Sequence, residues 1–239
     1  MKQKFSIYAT FIFVLFVFSS CIFSGPSLKG NGNVVEETRK IGEFDEIKVS
    51  RGMNVYISQG KKTKVVVKAD ENLLDAIEIR VEGNTLKVTS NQNIRKAKSK
   101  KVFVTTPNIS KIRSTSGSNV YSETVIRSKN LDLSSSAGSN MKLEVNCEKI
   151  DVSTSAGSNI KLDGRTVTIK GKASSGSNLK AEGLTSENCS VSVSSGANIW
   201  ITATGNFNGH ASSGGNLFYY GNPETTDIEK SSGGNVIKK

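Results

Sequence analysis

Two short stretches of nearly identical sequence decide the fold: "SSSAGSN" at residues 134–140 and "STSAGSN" at residues 153–159. Each contains a Gly-x-Asn unit followed by an apolar residue, and seven such units recur at intervals of 18 to 21 residues. A nearly constant period of this length indicates a repeat architecture. An eighth, looser copy, "RGMNVYI", surrounds Gly52. The seven regular units contain Gly117 and Asn119, Gly138 and Asn140, Gly157 and Asn159, Gly176 and Asn178, Gly196 and Asn198, Gly214 and Asn216, and Gly233 and Asn235.

The residues around each unit predict strands. Apolar and polar residues alternate on both sides of the glycine, which is the pattern of a strand with one buried face. One repeat cannot bury its apolar side, whereas stacked repeats can. The sequence therefore predicts an all-β protein, a β-solenoid (β-helix) with coils of about 19 residues and the Gly-x-Asn unit as a structural corner. Glycine suits a corner because it adopts positive φ, and asparagine tolerates that region best among the other residues. Stacked asparagines can also hydrogen-bond along the column.

The N-terminus predicts export. Lys2 and Lys4 precede a short apolar run at residues 11–18, and the segment "FSSC" ends at Cys21. The run is short for a membrane-spanning helix and typical of a signal peptide. "FSSC" resembles a bacterial lipobox, in which the cysteine receives a lipid, although Phe18 stands where leucine is usual. An ordinary secretory signal is the alternative.

The chain divides into four expected parts. Residues 1–20 form a signal peptide of the lipoprotein type, and residues 21–34, rich in glycine, serine and proline, form a flexible tether. Residues 35–112 form an N-terminal β region, in which "ENLLDAIEI" is compatible with one or two helical turns. Residues 113–239 form the solenoid. The expected location is the outer membrane, reached through the lipid anchor, on the cell surface or on the periplasmic face.

The chain is basic, with a formal net charge of +11, or +9 without Lys2 and Lys4. Such a charge favours anionic partners such as acidic glycans and lipid head groups. Nucleic acid is not an expected partner, because the chain is exported and no nucleic-acid-binding motif occurs in it. The charge is concentrated in one run only, "RKAKSKK" at residues 95–101. A solvated basic surface is the alternative explanation.

Cys147 and Cys189 are not expected to form a disulfide. In an alignment on the corner glycines, Cys189 falls in a core column and Cys147 in the turn two coils earlier. Two coils correspond to roughly 10 Å along the solenoid axis, which is beyond the reach of a disulfide. We interpret Cys189 as a small buried apolar residue and Cys147 as a free thiol in a turn.

The side chains four residues after each corner glycine should point away from the core. In the middle coils these positions hold lysines with an acidic residue two positions further on, which predicts a surface ladder of ion pairs. In the later coils they hold aromatic residues, whose flat surfaces suit sugar rings or apolar peptide side chains. A terminal turn or a second copy of the protein that covers the aromatics is the alternative. The candidate binding residues are Trp200, Phe218, Lys142, Lys161 and Lys180 in this column and Tyr220 in the adjacent outward column, six residues after its corner glycine.

No catalytic constellation is evident in the sequence. The single histidine, His210, has no nucleophile and orienting acid arranged with it. The His and Cys spacings of zinc sites and the Asp-containing calcium repeat are also absent. Asp132 and Asp151 fall one coil apart, as the acids of sugar-cleaving β-helices can, but Lys170 takes this position in the next coil and favours a surface ladder. We expect no enzyme activity, no metal and no cofactor.

The order of the motifs resembles a known family. The stretch "FDEIKVSRGMNVYISQG" at 44–60, then "EGNTLKV" at 82–88, then the repeated corners resemble the family called the putative auto-transporter adhesin head domain, or GIN domain. The resemblance covers roughly residues 36–238. It implies an all-β fold with a β-helical part in exported lipoproteins of Bacteroidetes-type bacteria, and it supplies no catalytic residues.

Two functions from different classes follow as expectations. The first is a cell-envelope adhesin or glycan- or protein-binding module on a lipid tether, whose partners are the membrane and a glycan or a host or envelope protein. The second is a periplasm-facing envelope scaffold without a glycan ligand, for which a homo-oligomer is a candidate form. The segment "IFSGPS" after Cys21 carries no acidic residue that hints at surface export, which favours the second function, whereas the family label favours the first.

Overall fold

The structure is a computed structural model that describes residues 27–239. Cys21 and the signal-peptide prediction lie outside the described residues. Within them, the N-terminal part contains a 3-10 helix (Glu71–Ala76) and the strands β1 (Ser27–Lys29), β2 (Val34–Arg39), β3 (Glu46–Val49), β4 (Asn54–Gln59), β5 (Lys64–Asp70), β6 (Ile77–Glu82), β7 (Thr85–Ser90), β8 (Asn93–Lys96) and β9 (Lys100–Thr106).

The remaining strands form the solenoid. They are β10 (Lys111–Ser114), β11 (Asn119–Ser122), β12 (Ile126–Ser135), β13 (Asn140–Thr154), β14 (Asn159–Ala173), β15 (Asn178–Val193), β16 (Asn198–Ala211), β17 (Asn216–Tyr220), β18 (Thr225–Lys230) and β19 (Asn235–Lys238). They stack as parallel coils of about 19 residues, and the solenoid has about seven turns. The prediction of an all-β solenoid is confirmed. None of the helical structure in residues 27–239 is long and apolar enough to span a membrane.

Each corner is a tight turn with two consecutive left-handed residues. At the Gly157 corner, Ala156 and Gly157 have φ values of 50° and 68°. The Gly157 amide donates a hydrogen bond to the Ser175 carbonyl of the next coil at 3.1 Å, so the corner ties neighbouring coils together. The sequence analysis expected asparagine to accommodate the left-handed conformation at the corner. In the structure, the residue directly before the glycine adopts it instead. The reason is that a turn of this type needs two adjacent residues with positive φ.

The asparagines form a continuous ladder of side-chain amides. Each Nδ2 donates to the Oδ1 of the asparagine in the preceding coil at 2.8–3.0 Å, from the Asn119–Asn54 pair to the Asn235–Asn216 pair. The expected hydrogen bonding along the column is therefore present in every coil. Beneath the ladder, small residues fill the corner. Ser158, for example, is fully buried and its hydroxyl donates to a carbonyl of the preceding coil at 2.7 Å.

Each central coil has two legs separated by a bend. In β13, alternate residues from 141 to 147 point inward along the first leg, and alternate residues from 150 to 154 point inward along the second. Residues 148 and 149 both leave the core, which marks the bend. The backbone is paired with the next coil up to residue 147 and again from residue 149, so only residue 148 interrupts the ladder at this bend. The prediction of a separate variable turn at this point is therefore wrong for the central coils.

The N-terminal β region is a cap that encloses the first coil. β7 and β9 stack on β3 and β4 from one side, and β10 and β11 stack on them from the other. The segment from β3 to β4, with its corner at Gly52, is therefore the first coil of the solenoid. β2, β5 and β6 add antiparallel pairs around this end. β10 crosses the boundary expected at residue 113, and the sheet continues through it.

Part of the segment expected to be a tether belongs to the cap. β1 pairs with β8, and the Gly32 amide donates to the Asp70 carboxylate at 2.9 Å. Asp70 is 1% exposed and also accepts hydrogen bonds from the amides of Lys98 and Ser99. Burial alone raises the pKa of the Asp70 carboxyl, but the amide hydrogen bonds and the Lys98 charge outweigh burial and hold the pKa below its usual value. Residues 27–34 are thus held in place, unlike the flexible tether that their composition predicts.

Both cysteines of the solenoid are free and buried. Cys189 lies in the core, as predicted. Cys147 also lies in the core, as the last inward-facing residue of the first leg of β13. The prediction of a turn thiol is therefore wrong. The predicted turn at Cys147 and the predicted variable turn fail for the same reason, since β13 continues across this position. Burial raises the pKa of both thiols.

Candidate binding face

The candidate site is a single column of outward-facing side chains that runs along the solenoid. Its members lie two residues after each ladder asparagine, and strand pairing places them in register; Phe103 on β9 joins the column by pairing with Tyr56. We call this set the outward column. From the capped end it reads Phe103, Tyr56, Tyr121, Lys142, Lys161, Lys180, Trp200, Phe218 and Ile237.

The C-terminal part of the column is an aromatic stack. The rings of Trp200 and Phe218 are 5.3 Å apart between centroids and 12° from parallel. The ammonium groups of Lys180 and Lys239 lie 5.7 Å and 5.8 Å from the centroids of Trp200 and Phe218, respectively. Tyr220 lies two residues beyond Phe218 on β17, in the neighbouring outward column. All three aromatic residues are partly exposed, so the last coil covers them only in part.

A second aromatic stack lies at the capped end. Tyr56 stacks with Tyr121 at 5.2 Å and with Phe103 at 5.1 Å between ring centroids. The Lys101 ammonium lies 5.5 Å from the Tyr56 centroid. None of these residues was among the candidates from sequence. The glycine alignment places Tyr56 and Tyr121 in the column, but no corner glycine precedes Phe103, so only the pairing of β4 with β9 reveals the third ring.

Lysines occupy the column between the two stacks. Lys142, Lys161 and Lys180 are exposed and lie side by side in consecutive coils. Within residues 27–239, their only ion pair joins Lys161 to Asp163 at 3.8 Å. The prediction of a continuous ion-pair ladder is therefore wrong. A register shift between β14 and β15 contributes to this result, because it places Asp163 beside Gly183. The middle of the column is consequently a stripe of positive charge.

An open hollow of about 570 Å³ lies next to the aromatic stack at the capped end. It combines aromatic rings with several carboxylates and one ammonium group. Aromatic faces and hydrogen-bond acceptors in one hollow suit a ring that carries hydroxyl groups. The side chains that line it include Tyr56, Tyr121, Glu123, Lys142, Glu144 and Asp163.

The outward side of the second leg carries charge instead of aromatic rings. Asp132 lies beside Asp151, as the repeat predicts, and Asp151 forms an ion pair with Lys149 at 2.9 Å. The His210 Nδ1 atom lies 3.3 Å from the Glu229 carboxylate on the surface. In residues 27–239, no group of three or more His, Cys, Asp and Glu side chains is placed to hold a metal ion. Asp132 lies 3.7 Å from the Lys111 ammonium, so both aspartates belong to a surface charge network.

The fold and the outward column define the class of protein, a capped β-solenoid with aromatic stacks at both ends of one outward column. A family model described as "Putative auto-transporter adhesin, head GIN domain" matches residues 43–223. The chain belongs to this family, and the resemblance read from the sequence is confirmed. A comparison with curated proteins gives no match.

Solved structures share the fold at low sequence identity. A putative adhesin from Bacteroides fragilis is 22% identical and superposes with a TM-score of 0.80 over 88% of this chain and 99% of its own. A putative adhesin from Parabacteroides distasonis is 19% identical, with a TM-score of 0.74 over 90% and 100% of the two chains. A putative lipid binding protein from the same species is 20% identical, with a TM-score of 0.70 and the same coverage. These similarities establish a shared fold.

Proposed function

We propose that the protein is an adhesin-type binding module of the cell envelope that holds a glycan or a protein against its outward column. The observation that carries the proposal is the pair of partly exposed aromatic stacks at the two ends of this column. Tyr121 and Trp200 are four coils apart, which is about 19 Å at the spacing of neighbouring strands. An extended ligand of several sugar rings, or an extended peptide, reaches both stacks. The lysines between them favour acidic groups in the middle of the ligand, whereas the carboxylates beside Tyr121 favour hydroxyl groups at that end.

The comparisons support a binding role. The family description and two of the solved structures carry the word adhesin, and a third structure is described as lipid binding. An adhesin-type family favours a non-enzymatic protein. The ligand-binding chemistry of the column needs only stacking, hydrogen bonding and charge, which its own side chains supply.

Substitutions at both stacks test the binding role. The probes are an array of neutral and acidic oligosaccharides and a mucin-coated surface. Trp200→Ala and Tyr121→Ala should each weaken binding about threefold to tenfold, because each removes one ring from its stack. Trp200→Phe and Tyr121→Phe retain a flat ring and serve as matched controls that should bind like the unmodified protein. Unchanged binding in the double alanine variant would contradict a role for the column.

We also propose that the protein is exported and anchored through a lipid on Cys21 to the outer membrane. Protease treatment of intact cells that express the tagged protein tests which face it occupies, with a periplasmic protein as the control. Loss of the tag while the control survives supports display on the surface. Protection until the outer membrane is opened would contradict the adhesin role.

A second candidate function is a periplasm-facing scaffold that assembles into homo-oligomers without a glycan ligand. The observation that favours it is the open end of the solenoid. β18 pairs with β16 and β19 pairs with β17, and no strand of residues 27–239 occupies the other edge of either. Unpaired edges are sites where another chain can add. Light scattering and crosslinking distinguish this candidate, because a monomer at all concentrations with no crosslinked partner would contradict it.

A further inference from the structure

A cavity of about 670 Å³ opens at the capped end, beside the first two corners of the solenoid. Arg51 and Lys100 line it together with Ser116 and the three carboxamide-bearing residues at 91–93. All the residues that form its wall lie within the described part of the chain, and none of them is acidic. Two cations with neutral hydrogen-bond donors and no carboxylate form a set of groups suited to an anion.

Lys100 occupies an unusual position for a lysine. Side chains alternate along β9, so Lys100 lies on the same side of the strand as the buried Val102. Because Lys101 pairs with Asn54, Lys100 is in register with Met53, in a column that most other coils fill with small buried residues. Its ammonium has no hydrogen-bond or ion-pair partner within residues 27–239. Burial lowers the pKa of this ammonium, and no facing carboxylate offsets the effect.

Arg51 is equally distinctive, because it stands at a corner. It has a left-handed φ of 55°, at the position where the seven other corners carry serine or alanine. A small side chain is therefore sufficient for the turn, and the long cationic one is not needed for it. One guanidinium nitrogen donates to the Ser90 carbonyl at 2.7 Å, its only side-chain hydrogen bond within residues 27–239. This contact fixes the guanidinium and leaves most of its five N–H groups for a ligand.

The cavity lies where the N-terminal chain enters the fold. Ser27 pairs with Asn93, one of the residues that line the cavity. The basic run at 95–101 follows directly and contributes Lys100. Cys21 precedes Ser27 by six residues, which span at most about 20 Å when extended. A lipid on Cys21 therefore holds the basic end of the solenoid close to a membrane surface.

We propose that this cavity binds a phosphate group, with Arg51 and Lys100 as the charged donors and the carboxamides as neutral donors. A phosphate carries one to two negative charges, which two cations balance. On the membrane the phosphate belongs to a phospholipid headgroup, and this identity of the source rests on the proposed lipid anchor. The phosphate chemistry itself stands without the anchor and without the adhesin role.

Binding is measured with the full-length chain carrying Cys21→Ser, which keeps the protein free of lipid. The soluble probes are inorganic phosphate and glycerol 3-phosphate, followed by calorimetry and thermal shift at constant ionic strength. The membrane probes are phosphatidylcholine vesicles with and without phosphatidylglycerol, followed by co-sedimentation. The variants are Arg51→Ser, Lys100→Gln and, as a matched control, Lys101→Gln, which loses the same charge from the opposite side of β9.

We expect Arg51→Ser and Lys100→Gln each to weaken phosphate binding about tenfold or more, because each removes a charged hydrogen-bond donor. Lys101→Gln should change it little. Folding does not confound the test. Serine already occupies the position of residue 51 in other corners, and loss of a partly buried cation should leave the melting temperature of the Lys100 variant unchanged or higher.

The soluble probes and the vesicles distinguish a free phosphate from a phospholipid headgroup as the ligand. Binding of the soluble probes with the expected variant pattern supports a general phosphate site. Binding only to vesicles that contain phosphatidylglycerol, with the same pattern, supports a headgroup site. An equal loss of binding in all three variants would overturn the proposal, because diffuse charge alone would then explain the binding. The absence of binding to every probe would also overturn it. Failure of the column to bind glycans is measured separately and leaves the soluble-phosphate result unaffected.

Discussion

The asparagine ladder permits a substitution whose effect can be counted bond by bond. Asn159 donates to Asn140 at 3.0 Å and accepts from Asn178 at 2.8 Å, so Asn159→Ala removes two hydrogen bonds. A neutral hydrogen bond contributes about 1 kcal/mol net. The amides left behind are at least partly exposed and can bond to water, which avoids a further penalty. We therefore expect the free energy of unfolding to fall by about 2 kcal/mol.

A pair of double variants makes the test specific to the ladder. Asn140→Ala and Asn159→Ala each remove two bonds, but they share the bond that joins them, so the double variant removes three. Its effect should fall short of the sum of the single effects by about 1 kcal/mol. Asn140 and Asn178 share no bond, so the double alanine variant at these positions should be additive within about 0.5 kcal/mol.

Urea unfolding, followed by circular dichroism and by the fluorescence of Trp200, measures these quantities. Trp200 is the single tryptophan of the chain. The two signals must coincide and the slope with denaturant must stay constant, because a repeat protein can unfold in stages. Coupling near zero for the neighbouring pair, or equal coupling for both pairs, would refute the account of the ladder as a chain of discrete hydrogen bonds.

Three further predictions concern the core, the cap and the thiols. Gly209→Ala should destabilise the protein by about 1–3 kcal/mol in urea, since its Cβ would lie within 3.0 Å of neighbouring core side chains, whereas Gly42→Ala, with open space around it, should be close to neutral. Asp70→Asn should lower stability by about 2 kcal/mol at pH 7. Because the folded-state pKa of this carboxyl is lowered, the difference from the unmodified protein should shrink as the pH falls below about 4, and a constant difference down to pH 3 would contradict this account. Cys147 and Cys189 should react with a thiol reagent at pH 8 only when urea unfolds the chain, since burial shields both and raises their pKa values, and rapid labelling of the native protein would contradict the buried placement.

The repeat made the solenoid and its register predictable, because each corner needs glycine at the same point and each asparagine bonds to its neighbours. The bend near residue 148 was not predictable in the same way. It carries no turn residue, and the pairing of residues 147 and 149 with the neighbouring coils holds it in place, which no local signal encodes. The stacking of the N-terminal cap on the first coil was also not predictable from the sequence. β7 and β9 stack in the solenoid without a corner, so the roles of Phe103 and Lys100 emerge only from strand pairing.

The division between inward and outward columns explains where function is to be sought in this fold. Where the core columns and the corners follow the repeat, they are uninformative about ligands, because every coil rests on the next one. The outward column passes from aromatic rings to lysines and back without any change in the ladder beneath it, so its composition is free to follow a ligand. Arg51 and Lys100 go further, since they occupy positions that most other coils reserve for small residues. Both residues line the same cavity, and the structural requirements of the repeat explain neither of them.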